Sequence, residues 1–431
     1  MNRLSRLFVV AALSCAFLTA FVQAQGRQGG AGRQGGAGAQ TAALPDGEGR
    51  DLVQAVCTAC HQTNLVTNSA GYTKQQWHDL VFTMVNLPAA QAETLTQYLS
   101  THFPPKPGLE PVLVPGPVTV SFKEWLVPTL GQRSRDPVET PDGMIWWAGQ
   151  YANLVGRLDP RTGDMKEFTL PANSRPHSVT TDRDGNLWYM GNANATIGKL
   201  HPATGEITVY PMPDPAARDP HTPIFDRNGI LWFSMQQSNM VGRLDPKTGE
   251  VKVVTIPTTR ALPYGMDVDS QGNIWVSYHG SYKVARVHPV TMEVREFPLP
   301  DERTTVRRLA VGRDDIVWYV NSSLGKLGRL NPATGEIKEW PTPSGPNSHP
   351  YAIAVLNDGS VWYNESRRRP DALVRFDPAT ERFQSWAIPS GVGTLRHMRP
   401  TADGNNLLIH QTSTNRIGLV TIERTTTTAR R

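Results

Sequence analysis

The chain has 431 residues and a formal net charge of +5, with 35 Pro, 37 Gly, 11 Trp and 3 Cys. This length allows one small and one large domain, and the Pro, Gly and Trp content points to turns and aromatic strands rather than long helices. The charges nearly balance and no Lys/Arg block is interleaved with aromatics, so a nucleic-acid partner is not expected.

Residues 1–24 read as a secretory signal peptide. Arg3 and Arg6 precede an apolar run over 7–21, and Val22-Gln23-Ala24 is a small-residue cleavage site. An uncleaved anchor is the alternative, but the run is short and wrongly flanked for a membrane span. The expected location is periplasmic or secreted, with no membrane span after signal cleavage. Cys15 lies within this segment, so two Cys remain in the mature chain. Within residues 25–44, Gly-Arg-Gln-Gly-Gly-Ala-Gly occurs twice, a composition that cannot bury a core and reads as a flexible leader.

Residues 45–103 form a small all-α domain around Cys57-Thr58-Ala59-Cys60-His61. This C-x-x-C-H pattern is the attachment signature of a c-type haem. Cys57 and Cys60 would each bond one porphyrin vinyl group, and His61 would be the proximal iron ligand. A zinc half-site lacks further Cys ligands in the mature chain, and a thioredoxin-like pair lacks its βαβ context. Asp51–Ala59 is the expected first helix. Thr73 and Gln76 form a capping box. Behind it, Trp77, Leu80, Val81 and Met84 share one helix face. Residues 91–102 read as the closing helix. A domain of about 60 residues needs a staple, and covalent haem is one. Met84 is the expected sixth iron ligand, with an open or His-ligated iron (His78 or His102) as alternatives. The region resembles the small class I c-type cytochromes, in which a Trp-containing helix carries the axial Met.

Residues 104–117 hold six Pro residues and read as a semi-rigid linker. Arg367-Arg368-Arg369 is the sharpest basic run and reads as a solvated loop.

From residue 118 to 424 the chain repeats. Trp146, Trp188, Trp232, Trp275, Trp318 and Trp362 are spaced 42 to 44 residues apart. Turns such as Asp184-Gly185-Asn186 precede most of them, and turns such as Asp245-Pro246-Lys247-Thr248-Gly249 follow. A seventh unit has Leu408 in the Trp position. Four short strands per unit is propeller arithmetic. The last unit lacks a fourth strand, and residues 121–128 supply an orphan one that would close the ring. The expected fold is therefore mostly β: a seven-bladed propeller of four-stranded blades, preceded by the small helical domain. Residues 425–431 are expected to be a disordered tail.

Eleven residues before each Trp stand Arg135, His177, His221, Tyr264, Arg307 and Tyr351, and the same count from Leu408 reaches His397. These seven would ring one mouth of the central channel, as a site for a small-molecule ligand. The ends of the second strands, Met235, Gln236, Tyr278, Asn321 and Glu365, would form a neighbouring shell.

The repeats resemble the streptogramin lyase (virginiamycin B lyase) propellers, on signatures such as Asp184–Trp188 with Ile197-Gly198-Lys199-Leu200. The site matches further: Pro176-His177, Pro220-His221 and Pro263-Tyr264 occur in the family's order, and Asp219 stands at its acid position. The resemblance implies an elimination opening a cyclic ester, with His221 as base, His177 and Tyr264 assisting and Asp219 holding Mg²⁺. Gln236 departs from the family's Glu, so a divalent metal would bind more weakly. Elimination is redox-neutral and gives a haem no step. The expected function is therefore electron transfer by a haem c protein, with a redox partner protein, coupled to a ligand or substrate at the propeller. A C–O lyase with an accessory cytochrome and a non-catalytic binding or sensor module are the alternatives.

Overall fold

Each repeat explains its own strands. The indole N–H of Trp188 donates to Asp182 Oδ2 at 2.9 Å, and Trp232 and Trp275 do the same to Asp226 and Asp269 at 3.0 and 3.1 Å. The same Asp residues accept backbone N–H bonds from the turn before the Trp, as Asp182 Oδ1 does from Asn186 N at 2.8 Å. One side chain thus closes the hairpin and fixes the buried indole. The Gly of Ile197-Gly198-Lys199-Leu200 has an equally local cause. A Cβ there would lie 1.9 Å from Tyr189 Cζ, and Gly156, Gly242 and Gly328 are pressed the same way under Trp147, Phe233 and Tyr319. Ile197 and Leu200 are buried, while the next cation lies over the Trp ring, Lys199 over Trp188 at 5.5 Å and Arg243 over Trp232 at 5.6 Å.

The computed structural model describes residues 43–59, 63–67, 69 and 71–424. Seven four-stranded antiparallel sheets form seven blades, over 134–169, 176–211, 220–255, 263–298, 306–341, 350–387 and 399–424. The seventh is completed by Val118–Leu126, which pairs antiparallel with Arg416–Arg424 and sets Trp125 opposite Ile417. The expected closure is therefore present. The six repeat Trp residues are at most 4% exposed, and the apolar clusters sit between neighbouring blades.

Among the described residues, four helices precede the propeller: Arg50–Thr58, Thr63–Thr67, Lys74–Phe82 and Ala89–His102. The capping box at Thr73 is complete, with Gln76 N donating to Thr73 Oγ1 and Thr73 N donating to Gln76 Oε1. Trp77, Leu80 and Val81 are buried as the helix period requires. Met84 corrects that reading. The helix stops at Phe82 with Thr83 as C-cap, and Met84 sits in the following turn, 41% exposed. The Thr83 hydroxyl bonds back to Leu80 O at 2.7 Å and ends the face one residue early.

Residues 104–117 run along the sixth blade. Val112 N donates to Ser344 Oγ at 2.9 Å, Ser385 N to Val114 O at 2.9 Å, and Arg369 N to Leu109 O at 2.8 Å. Arg367–Arg369 is accordingly not a solvated loop throughout. Arg368 is 8% exposed and donates to Gly108 O at 2.8 Å, and Arg369 lies over the Tyr72 ring at 5.1 Å. Backbone carbonyls of the linker and one aromatic face give these guanidinium groups partners that water would otherwise supply. Residues 1–42, Cys60, His61 and 425–431 lie outside the described residues, and with them the signal peptide, most of the leader and the tail.

Candidate functional site at the channel mouth

The innermost strand of each regular blade opens with a bulge. In the third blade Pro220 pairs with Met235, and the ladder resumes at Pro223 with Phe233; the second, fourth, fifth and sixth blades shift at the same place. A bulge re-aims side chains toward a site. In four blades the residue before the opening Pro (Arg175, Asp219, Leu262 or His349) has φ between 42° and 55°, which is a costly conformation for a residue in that position. Together these features place Arg135, His177, His221, Tyr264, Arg307 and Tyr351 at equivalent points at the start of the innermost strands.

His397 is not the seventh member. In the third blade Ile224 faces Trp232, eight residues on, whereas in the seventh blade Arg399 faces Leu408, nine residues on. The last hairpin is one residue longer, so the equivalent residue is Arg396. Its guanidinium lies over the Tyr351 ring at 5.6 Å. His397 belongs one layer deeper, where its Nδ1 is 3.2 Å from Asp136 Oδ2. Arg308, on the same layer, reaches that oxygen at 3.4 Å and also donates to Thr222 Oγ1 at 3.3 Å. Burial opposes the Asp136 charge, but His397 and Arg308 outweigh it and hold the carboxyl well below its usual range. Burial and the Arg308 charge hold His397 itself near 3, so Arg308 supplies the lasting counter-charge.

The ring proper is closely packed. The rings of His177 and His221 are 3.5 Å apart between centroids, and His221 and Tyr264 are 4.3 Å apart. Burial, reinforced by the Arg135 charge, holds both His residues well below 6.5 and therefore neutral. His221 Nδ1 lies 2.9 Å from Thr222 Oγ1. The hydroxyls of Tyr264 and Tyr351 are 2.5 Å apart. Burial raises Tyr264, as does its neighbour Tyr351. Burial acts on Tyr351 too, but the Arg396 and Arg307 guanidiniums and the bond from Tyr264 prevail and bring it down to about 7. Arg307 Nη1 donates to Tyr351 OH at 3.4 Å, and Arg135 Nη1 donates to Gln150 Oε1 at 2.9 Å.

The acids near the mouth are engaged elsewhere. Asp219 accepts Gln237 N at 2.7 Å, Ser238 N at 3.2 Å and Ser238 Oγ at 3.1 Å, and burial raises it to about 6. Gln236 Nε2 lies 3.4 Å from His279 Nδ1. Glu365 is fully buried and accepts Ser344 N at 2.9 Å, while Tyr278 donates to Glu296 at 3.2 Å and Asn321 to Thr304 at 3.0 Å. Tyr278, Asn321 and Glu365 thus tie down loops and outer strands, whereas Gln236 stays beside the mouth through His279, whose ring lies 5.7 Å from that of Tyr264. Among the described residues no group of three or more His, Cys, Asp or Glu is placed to hold a metal ion. Asp219 with Gln236 is a poor donor set for Mg²⁺, which takes carboxylate and water oxygens in an octahedron.

The helical domain docks on this same face. Gly131 N donates to Thr83 O at 2.8 Å, in the loop that leads to Arg135. Tyr72 OH donates to Val392 O at 2.7 Å, in the loop that leads to Arg396. Thr83 Oγ1 donates to Ser413 O at 3.1 Å. Cys57 lies at the edge of the helical core with Val56, Val85 and Leu87, and Leu65 and Met84 are 55% and 41% exposed. An apolar margin carrying the Cys57 sulfur fits a covalently held macrocycle. Cys60 and His61, the other residues of that assignment, lie outside the described residues.

The virginiamycin B lyase family model matches residues 118–369 and 263–429. Comparison with curated proteins returns no match. Among solved structures, a streptogramin B lyase is 23% identical, with TM-score 0.64, over 70% of this chain and 98% of its own. A catalytically inactive His-to-Ala variant of virginiamycin B lyase from Staphylococcus aureus, solved with quinupristin, is 22% identical, with TM-score 0.62, over 70% of this chain and 99% of its own. The hydrazine synthase of Kuenenia stuttgartiensis is 13% identical, with TM-score 0.57, over 70% of this chain and 97% of its own. These likenesses establish the fold.

Proposed function

Because the chain belongs to the virginiamycin B lyase family, we propose that its propeller keeps the family's ligand-binding mouth and that the helical domain carries electrons to or from what is bound there. Cys57 and Cys60 would hold a c-type haem covalently, His61 would be its proximal ligand and Met84 its distal one. The haem would supply one-electron chemistry. The protein's own part is to seat the ligand against Arg135, His177, His221, Tyr264, Arg307, Tyr351 and Arg396, and to hold the two His residues neutral. Export through the signal peptide and a redox partner protein complete the reading.

The observation that carries it is the docking of the turn at Thr83 and Met84 on Gly131 and Ser413, on the face where the ring opens. The full-length protein, expressed with haem attachment, is expected to keep its haem through denaturation and to lose covalent attachment when Cys57 and Cys60 are both replaced by Ala, since each supplies one of the two thioether bonds. Haem that remains non-covalent in the wild type overturns the proposal.

A second reading is a lyase. Its supporting observation is the neutral His221 beside His177, the residue that the family resemblance implies as base. It predicts Mg²⁺-dependent cleavage of a cyclic ester, abolished in His221→Ala and indifferent to haem reduction.

A further inference from the structure

We propose that the channel mouth binds a small organic carboxylate, held by Arg135, Arg307 and Arg396. The inference rests on the reading of the ring as a ligand site and names the class of ligand it takes.

Three guanidiniums converge on one opening, and among the described residues none of the three is in an ion pair with a carboxylate. Arg135 is 2% exposed and makes one bond, to Gln150. Its Nε and Nη2 are buried with no hydrogen-bond partner in the protein, as are Arg307 Nε and Arg396 Nε. A buried cation without its full set of acceptors costs free energy unless a ligand supplies them. The nearest acid, Asp136, already serves Arg308 and His397. Arg307 and Arg396 are half-buried and form the rim, and Arg135 with the two His and two Tyr residues forms the floor. The fork of a guanidinium matches the two oxygens of a carboxylate. The rings of His177, His221 and Tyr264 pack against one another at a tilt and offer ring carbon beside the guanidinium, which favours an organic acid over an inorganic oxyanion.

The test uses the full-length protein with oxalate as probe, inorganic phosphate as competitor chemistry, and chloride at matched ionic strength. Oxalate is expected to raise the Tm and to bind in calorimetry. Arg135→Gln and Arg307→Gln are each expected to weaken it at least about tenfold, and Arg161→Gln, in an exposed turn, to leave it unchanged. Without ligand, Arg135→Gln is expected to melt no lower than wild type, because it removes an incompletely paired buried charge; a residue that only held the fold together would lower the Tm. If Arg135→Gln fails to fold, Arg307→Gln on the rim carries the same test. Oxalate that acts no differently from chloride overturns the proposal, and phosphate binding as tightly as oxalate overturns the carboxylate assignment. Covalent haem is read separately, so failure of the anion site and failure of the redox reading are distinguishable.

Discussion

Tyr351→Phe removes the hydroxyl on which the charges of the ring converge. In the folded chain that hydroxyl titrates near 7 instead of 10.0. Its ionisation is therefore expected in the neutral range instead of the alkaline one. The groups facing it are Arg307 and Arg396 over its ring, Tyr264 at its hydroxyl, Arg135 across the mouth, and His349 at 6.0 Å between ring centroids. Burial holds His349 near 3, so it stays neutral over this range. A lowered acid stabilises the fold in full above its unfolded value of 10.0 and ceases to do so as pH falls through 7. Between those limits this group adds up to ~1.4 kcal/mol of stability per pH unit. The assay is the tyrosinate absorbance of wild type minus Tyr351→Phe as a function of pH, a subtraction that cancels the tyrosines other than Tyr264, whose pKa Tyr351 itself raises. One ionisation centred near 7 is expected, displaced upward in Arg396→Met. A difference spectrum that stays flat until the ordinary tyrosine range refutes the electrostatic reasoning.

Gly198→Ala places a methyl within 1.9 Å of Tyr189 Cζ, and chemical denaturation is expected to show a loss of roughly 1–3 kcal/mol. Asp219→Ala leaves the amides of Gln237 and Ser238 without their acceptor; a destabilisation of about 1–3 kcal/mol is expected, with faster hydrogen exchange confined to that loop. Tyr72→Phe removes the bond to Val392 O, and limited proteolysis is expected to cut the linker over 104–117 sooner, with the propeller's melting unchanged. If haem is held as proposed, Met84→Ala is expected to abolish a thioether–iron absorption band of the ferric protein without loss of covalent haem.

The propeller was legible because its signals are local. The Asp-to-Trp bond, the Gly under an aromatic ring and the turn residues all act within one blade, and they repeat. The ring was legible for the same reason in six blades. It failed in the seventh, where one extra hairpin residue moved the register from Arg396 to His397; only the pairing of Arg399 with Leu408 exposes it. Asp136 and Arg308 were missed because their meaning is non-local: one lies in the first blade and the other in the fifth, and they meet across the channel at 3.4 Å. Glu365 looked available in the sequence, but its carboxylate closes a loop 21 residues upstream. The helix carrying Trp77 was predicted correctly, and its end was not, because the C-cap Thr83 also bonds Ser413 from the far end of the chain.

The docking also bears on how the two halves of the chain could influence each other. Loops reached by the helical domain lead, four residues on, to two of the three ring arginines: Gly131 to Arg135 and Val392 to Arg396. Among the described residues Arg307 has no such attachment, and it stands on the other side of Tyr351 from Arg396. A change of charge in the helical domain would therefore act on the mouth through Arg135 and Arg396, and the ligand would act back through the same two loops. This sets the chain apart from a propeller that holds a cation between acids. At the positions where the family resemblance implies two carboxylates, one is engaged by backbone amides and the other is Gln236, and three guanidiniums dominate the opening. On the proposed reading, the class of ligand follows these guanidiniums rather than the fold.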